Sequence, residues 1–187
     1  AGIGSRTGFV LTDTAGRLPD RRHKRRWTSF DTALISIGQG DILISPLQAA
    51  VYTAAIANGG TLWRPNLLKT ILNPTGITIY SERPVVRGHL AASPRTLEMV
   101  RRGMYLSVNS DIGGSKRARN NVIDLYGKTG TAEVGAGPTR YKNTWFIGFG
   151  TKKGRTYAIS ILVERGVAGG KPCAPLAAEF FEKFLGP

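Results

Sequence analysis

The side chains best suited to acyl-transfer chemistry lie in one short segment, Lys128-Thr129-Gly130-Thr131. A lysine and two hydroxyls can bind a substrate carboxylate beside a reacting carbonyl, and a glycine lets a ligand approach the backbone closely. On a strand, Thr129 and Thr131 share one face, because successive side chains alternate. Lys128 and Gly130 then share the other face. The backbone N–H of Thr131 can supply one donor of an oxyanion hole.

The nucleophile that such a segment serves is absent from the sequence. In serine acyl-transferring enzymes the K-T-G tripeptide accompanies an S-x-x-K nucleophile, and no serine of this chain has a lysine three positions later. An isolated Lys-Thr-Gly also fits an ordinary surface turn. A phosphate-binding P-loop is excluded, because the first glycine of its motif falls on Val122. The chain therefore holds half of an active site.

The composition narrows the other kinds of site. Cys173 is the only cysteine, and His23 and His89 lie far apart, so we expect no metal site and no cofactor. Lysine and arginine number 26 against 12 acidic residues, which gives a formal net charge of +14. Such a surface attracts polyanions: nucleic acid, anionic lipid or anionic cell-wall polymer. The densest basic blocks are residues 21–27 and 116–119.

The elements that must position the segment begin with two helices. Ser45-Pro46 is a favourable helix start, and Asn58-Gly59-Gly60 ends that helix. Ser93-Pro94 repeats the signal for a second helix, whose apolar positions include Leu97, Val100, Met104 and Leu106. Residues 1–30 show little periodicity, so we expect mainly loop there.

The remaining elements predict an antiparallel sheet with helices packed on it. Residues 63–72 and 77–80 flank an Asn73-Pro74-Thr75-Gly76 turn and are predicted to form a hairpin. Three further strands are predicted at 122–126 (leading into Lys128), 144–150 and 157–163, the last two antiparallel. An amphipathic helix over 172–185 uses Leu176, Ala177, Phe180, Phe181 and Phe184. Together these elements predict an α+β fold.

Several further motifs occur in a fixed order along the chain. They are Ser36-Ile37-Gly38-Gln39-Gly40, Ile44-Ser45-Pro46-Leu47-Gln48, Ala55-Ile56-Ala57-Asn58-Gly59-Gly60, Gly127-Lys128-Thr129-Gly130-Thr131-Ala132-Glu133 and Trp145-Phe146-Ile147-Gly148-Phe149. Residues 158–164, then Gly169-Gly170 and Ala174-Pro175-Leu176-Ala177, continue the series. From about Gly8 onward, this order resembles the transpeptidase domain of penicillin-binding proteins. The Gly-Gln-Gly and Pro-Leu-Gln motifs are most similar to class B enzymes of the elongation type.

The resemblance implies a membrane-anchored D,D-transpeptidase that cross-links peptidoglycan on the outer face of the cytoplasmic membrane, the periplasmic side. A serine attacks the D-Ala-D-Ala bond of a stem peptide, forms an acyl-enzyme and passes the acyl group to an amine of a neighbouring stem. β-Lactams acylate the same serine. A membrane glycosyltransferase is the implied partner, and nucleic acid is not expected as one.

The resemblance also assigns roles to residues of the segment. Lys128 is implied as a catalytic residue that sets the electrostatics and proton traffic of the site. The hydroxyls of Thr129 and Thr131 are implied to bind the terminal carboxylate, with Gly130 in the substrate-binding strand, and the Thr131 N–H completes the oxyanion hole. Gln39 is an implied backbone tether in a tight glycine loop beside the site. Trp145 is expected to support the strand by packing.

The sequence departs from the family pattern at its N-terminal side. The nucleophile, its lysine and the S-x-N motif are expected to precede Ala1. Residues 1–187 are then the C-terminal part of one transpeptidase domain, inactive alone and completed by the missing part. Ser107-Val108-Asn109 has the form of S-x-N but occurs too late in the order, so a helix C-terminus explains it better. The basic segment 112–119 stands where relatives often carry G-T-A.

Other functions remain compatible with the sequence. A β-lactam sensor or β-lactamase relative shares the Lys-Thr-Gly segment, although such proteins usually lack the Gly-Gln-Gly and Pro-Leu-Gln motifs. A degenerate paralogue could retain the fold as a scaffold. A non-enzymatic basic module predicts steeply salt-dependent binding of nucleic acid or another anionic polymer.

Overall fold

The chain folds as helices packed on antiparallel strands, and the computed structural model describes residues 2–20, 26–135, 137–167 and 170–186. Over these residues the helices are α1 (Ser29–Ser36), α2 (Pro46–Ala57), α3 (Pro94–Asn109) and α4 (Cys173–Leu185). The strands are β1 (Thr61–Trp63), β2 (Thr70–Leu72), β3 (Thr78–Ser81), β4 (Val86–His89), β5 (Asp124–Val134), β6 (Tyr141–Lys152) and β7 (Arg155–Val163). The predicted α+β class is confirmed.

The main sheet has three antiparallel strands in the order β5-β6-β7. β5 pairs with β6 from Asp124↔Thr151 to Val134↔Tyr141. The core lies on the face that α4 covers, where Leu125, Phe146 and Phe181 are fully buried in one cluster. The opposite face packs against α2, and α3 runs beside β5. The predicted strands at 122–126, 144–150 and 157–163 are thus parts of longer strands, and the antiparallel pairing is confirmed.

Two glycines shape the core beneath the candidate strand. Gly127 lies directly opposite Gly148 in the β5–β6 register, and the ring of Phe146 occupies the space above both. A Cβ on Gly127 would lie 2.3 Å from Cζ of Phe146, and one on Gly148 would lie 2.6 Å from its Cε1. The aromatic ring therefore fits only because both positions lack side chains.

The predicted helix starts are confirmed at both Ser-Pro pairs. At α2 the Ser45 hydroxyl accepts from Gln48 N at 3.1 Å, while Gln48 Oε1 accepts from Ser45 N at 2.9 Å, which completes a capping box. The Gln48 amide also donates to the carbonyls of Ser5 and Ala15, at 3.0 and 2.7 Å. One buried glutamine thereby fastens the N-terminal loop to α2.

The hairpin prediction is confirmed in part. β2 pairs with β3 around the predicted turn, but the expected strand 63–72 is divided, because Trp63 belongs to β1, which pairs with β4. Pro65 lies in the gap and has no N–H for a ladder bond. Arg64 N still donates to Val85 O, and Glu82 N to Lys69 O, so the two pairs form one interrupted ribbon.

Two features of the helices were not expected. The described residues before Ser29 form mainly loop, as predicted, but α1 was not predicted; Thr28 and Asp31 form its capping box. On α3 the buried positions are Leu97, Met104 and Val108, whereas the predicted Val100 and Leu106 are largely exposed. Leu97, Met104 and Val108 are seven and four residues apart, a spacing that places them on one face of the helix.

Two further stretches singled out in the sequence lie only partly within the structure. Residues 21–25 of the first basic block and Gly169 of the tail motif are outside the described residues. The second basic block forms a 3₁₀ turn over Lys116–Ala118, and Arg119 bonds to Asp111 and to the Asn109 carbonyl at 3.2 and 2.6 Å. Arg119 of this basic block therefore stabilises the loop that contains it.

Candidate active site

The outer edge of β5 is bonded by side chains from other elements, since β6 is its only strand partner among the described residues. In an antiparallel pair, alternate residues direct both N–H and C=O away from the partner strand. The Leu125 carbonyl accepts from Asn109 Nδ2 at 2.9 Å, and the Thr129 N–H donates to Ser115 Oγ at 2.9 Å. The Thr131 carbonyl accepts from Gln39 Nε2 at 2.7 Å. The backbone N–H and C=O groups of the odd-numbered residues from 125 to 131 therefore point away from β6.

The Thr131 N–H and the Lys128 ammonium meet at this edge. Since the Thr131 carbonyl faces outward, its N–H does so too, and it is free of the β5–β6 ladder. The Lys128 side chain is exposed, and its Nζ donates to the Thr129 carbonyl at 2.6 Å. An outward amide donor and an ammonium group on the same strand edge can stabilise a developing oxyanion.

Gln39 reaches the strand from a distant part of the sequence, as the resemblance implied. It follows α1 in a loop whose flanking glycines, Gly38 and Gly40, have positive φ values of 72° and 82°. The loop turns the amide toward Thr131, which is 92 residues away along the chain. This bond confirms the predicted tether between the glycine loop and the Lys-Thr-Gly strand.

Thr129 lies on the core side of the sheet, and only 9% of its surface is exposed. Its side chain packs against Gly170, where a Cβ would lie 2.2 Å from Thr129 Cγ2. The predicted alternation holds: Lys128 and Thr129 point to opposite faces of β5. The structure thus places Lys128 and the Thr131 backbone at the outer edge of β5. The Thr129 side chain is buried on the core side of the sheet.

A chain of hydroxyls links the end of α3 to Thr129. Ser107 Oγ donates to Ser115 Oγ at 2.9 Å, and Ser115 Oγ lies 3.4 Å from Thr129 Oγ1, to which it donates. Thr129 Oγ1 in turn donates to the Gly114 carbonyl at 3.3 Å. Ser115 is fully buried. Sequence reasoning missed this residue, because a serine in a basic loop carries no pattern that predicts burial.

Gly130 is not closely packed by other side chains. The nearest heavy atom to a Cβ built there is Trp145 Cβ at 3.5 Å, an ordinary contact. Trp145 lies directly opposite Gly130 on β6 and is partly buried. The missing side chain favours close approach of a ligand to the Gly130 backbone, which stays a prediction.

Asn109 and Ser107 join α3 to the sheet. Asn109 is the last residue of α3, and its amide donates to the carbonyls of Tyr105 and Leu125, both at 2.9 Å. The Ser-x-Asn pattern lies at the helix C-terminus, as expected, and attaches it to β5.

No group of three or more His, Cys, Asp or Glu that could hold a metal ion occurs among the described residues. Over the same ranges, none of the helices is both long enough and apolar enough to cross a membrane.

We compared the sequence with models of known protein families. The family model described as "Penicillin binding protein transpeptidase domain" matches residues 1–182, nearly the whole chain. The chain belongs to the penicillin-binding protein transpeptidase family.

Relatives and solved structures place it near the class B members of this family. A peptidoglycan D,D-transpeptidase, MrdA, from Haemophilus influenzae is 27% identical over 98% of the chain and 31% of the relative. The PbpA enzyme of Mycobacterium tuberculosis is 30% identical over 94% of the chain and 35% of the relative. Penicillin-binding protein 3 of M. tuberculosis superimposes with a TM-score of 0.79 at 27% identity, over all of this chain and 46% of that one. The chain spans about a third of the length of the curated relatives it matches.

Proposed function

We propose that this chain is the C-terminal part of a serine D,D-transpeptidase domain that cross-links peptidoglycan stem peptides. One observation carries the proposal: the outer edge of β5 offers the Thr131 N–H between the Lys128 ammonium and the Gln39-bound carbonyl. In this proposal a segment preceding Ala1 supplies the serine and its lysine. Without that segment the chain is inactive, because no S-x-x-K occurs in its sequence.

The proposed mechanism is acyl transfer through a covalent intermediate. The serine oxygen attacks the carbonyl of the penultimate D-Ala as its proton passes to a neighbouring base, and the carbonyl oxygen becomes an oxyanion. The Thr131 N–H donates to that oxyanion, and the ammonium of Lys128 stabilises the negative charge. Collapse expels the terminal D-Ala, which takes a proton as it leaves. An amine of a second stem then attacks the acyl-enzyme and restores the serine.

The binding strand presents further groups to the substrate. The Thr131 hydroxyl, and the backbone left accessible by Gly130, are proposed to receive the terminal carboxylate side of the stem peptide. Thr129 is proposed to take part through the strand, since its hydroxyl donates to the Gly114 carbonyl in this structure. Direct contact with a carboxylate would require that hydroxyl to change its partner.

The proposed setting is the periplasmic side of the cytoplasmic membrane, in cell elongation, with a membrane anchor outside this chain and a membrane glycosyltransferase as partner. The similarity to two peptidoglycan D,D-transpeptidases, MrdA and PbpA, supports a peptidoglycan substrate. A β-lactam sensor is the second candidate, because Lys128 and the Thr131 N–H would serve its acylation step equally well. Turnover separates the two: a transpeptidase releases the acyl group to an amine acceptor, and a sensor retains it.

Labelling with a fluorescent penicillin tests the proposal. The isolated chain should remain unlabelled, while the same chain with its preceding segment should take one label per molecule. Adding a D-amino acid acceptor together with a thioester analogue of the stem should then yield transfer product. Labelling of the isolated chain would contradict the assignment, and so would a complete domain that takes no label.

A further inference from the structure

Ser115 lies at the centre of a hydrogen-bond network that fastens the candidate strand to α3. It is fully buried although it belongs to the basic segment 112–119. Its hydroxyl accepts from Ser107 Oγ and from Thr129 N, each at 2.9 Å, and it donates to Thr129 Oγ1. A serine hydroxyl has one donor and two acceptor sites. All three are used, so the orientation of this group is fully determined.

We propose that Ser115 is a positioning residue for acylation, which holds the outer edge of β5 so that the Thr131 N–H meets the reacting carbonyl. This role rests on the proposed transpeptidase function. Ser115 Oγ accepts a hydrogen bond from the outward N–H of Thr129. Thr129 precedes Thr131 by two residues, a distance of about 7 Å along a strand. On the other side of the Thr131 N–H, Gln39 holds the Thr131 carbonyl. The donor thus lies between two side-chain anchors.

The anchor at Ser115 is itself rigidly attached. The Ser115 N–H donates to the Ser107 carbonyl at 2.9 Å, which closes the loop onto the last turn of α3. Gly113 sits so close to that turn that a Cβ there would lie 2.3 Å from the Ser107 carbonyl oxygen. Asn109 ties the same turn to β5 at Leu125. Loop, helix end and strand therefore form one bonded unit, so a shift at Ser115 is transmitted to β5.

The consequence for catalysis is one of alignment. An oxyanion-hole donor acts only when it points at the position of the developing charge, and small misplacements slow reactions strongly. Loss of the Ser115 hydroxyl removes the hydrogen-bond acceptor of the Thr129 N–H and lets this part of the edge move. Acylation should slow on the order of tenfold, with little change in the affinity of the noncovalent complex.

The experiment measures β-lactam acylation and thermal unfolding in the complete domain that carries the nucleophile. Ser115→Ala removes the hydroxyl and Ser115→Thr retains it. Ser110→Ala is the chemical control, because its exposed hydroxyl bonds only to the Leu106 carbonyl of its own helix. Val108→Ala is the stability control, since it weakens the same buried layer without touching the hydroxyl chain.

The expected result is slower acylation in Ser115→Ala at unchanged noncovalent affinity, restoration in Ser115→Thr and normal rates in both controls. Thionoester and oxygen-ester substrates add a second readout: loss of oxyanion alignment should slow the oxygen ester more than the thionoester, whereas general destabilisation slows both equally. If Ser115→Ala does not fold, Ser115→Cys, which keeps the volume and loses the strong acceptor, takes its place.

Two outcomes would overturn the inference in distinguishable ways. Equal slowing in Ser115→Ala and Val108→Ala, at matched loss of thermal stability, would reduce Ser115 to a structural residue while the transpeptidase function stands. A wild-type domain that takes no β-lactam would contradict the proposed function, and the positioning role with it.

Discussion

Two strand edges in this molecule differ in how their backbone groups are bonded and covered. Along the outer edge of β5, side chains of Asn109, Ser115 and Gln39 bond the outward groups of the strand. In the β2–β3 part of the ribbon, every strand residue is exposed. Unprotected edges invite pairing with other chains. The outer edge of β5 is thus held by bonds from distant side chains, whereas β2 and β3 bond mainly to each other.

The ribbon is stabilised locally. Asn73 Oδ1 accepts from the N–H groups of Thr75 and Ile77, at 3.0 and 2.8 Å, and so fixes the turn by itself. Its apolar side chains, Ile77 and Ile79 among them, remain more than half exposed. Substitutions in the ribbon should therefore change acylation rates and unfolding free energies less than substitutions in β5 do.

The largest expected effect is removal of the Thr131 N–H. Thr131→Pro in the complete domain should lower β-lactam acylation by about 10²–10³-fold, because one oxyanion donor is lost. Since this N–H points away from β6, the ladder stays intact and proline is compatible with an edge strand. Acylation kinetics measure the loss, and circular dichroism checks the fold.

The matched control for that substitution is Ile79→Thr on the ribbon, which should acylate at the wild-type rate. The oxyanion assignment fails if Thr131→Pro reacts as fast as this control. Lys128→Ala should give a comparable loss, because the charge at the same edge is removed while the strand partners of β5 are unchanged.

Two glycines on β5 should separate stability from ligand access. Gly127→Ala places a Cβ against the buried Phe146 ring and should destabilise by about 1–3 kcal/mol, as overpacked cores do. Gly130→Ala meets only an ordinary contact at 3.5 Å, so its unfolding free energy should change much less. Urea unfolding of the two variants gives the comparison.

In acylation assays the order of the two glycine variants should reverse. Gly130→Ala obstructs the approach of a ligand to the backbone, whereas folded Gly127→Ala keeps the outer edge open. Equal destabilisation by both substitutions would show that the Phe146 contact does not limit the size of residue 127.

Loss of the Gln39 tether should have an intermediate effect. Gln39→Ala removes a partly buried hydrogen bond to the Thr131 carbonyl, which is worth about 0.5–1.5 kcal/mol. Thermal unfolding of the complete domain measures it. Gln39→Glu should not restore stability, because a carboxylate cannot donate to a carbonyl; restoration by glutamate would argue against the bond.

Ribbon substitutions should change stability least. Ile77→Thr should stay within about 0.5 kcal/mol of wild type in unfolding, because this exposed side chain packs against no core. The same change should reduce self-association in sedimentation experiments. A large loss of stability would mean that the ribbon is buried in the complete protein.

The pH response of the ribbon should be small and local. The Tyr80 hydroxyl donates to Glu82, and this bond, together with Arg64, holds the pKa of Glu82 below its ordinary value. A lowered carboxyl pKa stabilises the fold above the unfolded-state pKa, and this contribution disappears as the pH falls through the folded-state value. Tyr80→Phe should raise the Glu82 pKa in an NMR titration; an unchanged pKa would exclude the hydroxyl as its main cause.

Much of the site could be predicted from local sequence patterns. The alternation along β5 predicted opposite faces for Lys128 and Thr129, and the serine–proline pairs predicted the starts of α2 and α3. Ser115 could not be predicted, since its burial depends on how the 112–115 loop folds back onto α3. α1 was missed because it buries no residue, so its sequence lacks a core-facing stripe.

The sequence by itself determined the order of motifs, the chemistry of the Lys-Thr-Gly-Thr segment and the absence of an S-x-x-K nucleophile from these 187 residues. These follow from residue identity and spacing, which need no contacts to be read. Only the tertiary structure decided which backbone groups of β5 point outward and which side chains bond them. Gln39 and Ser115 reach the strand from 92 and 14 residues away, and such bonds exist only after the intervening chain has folded.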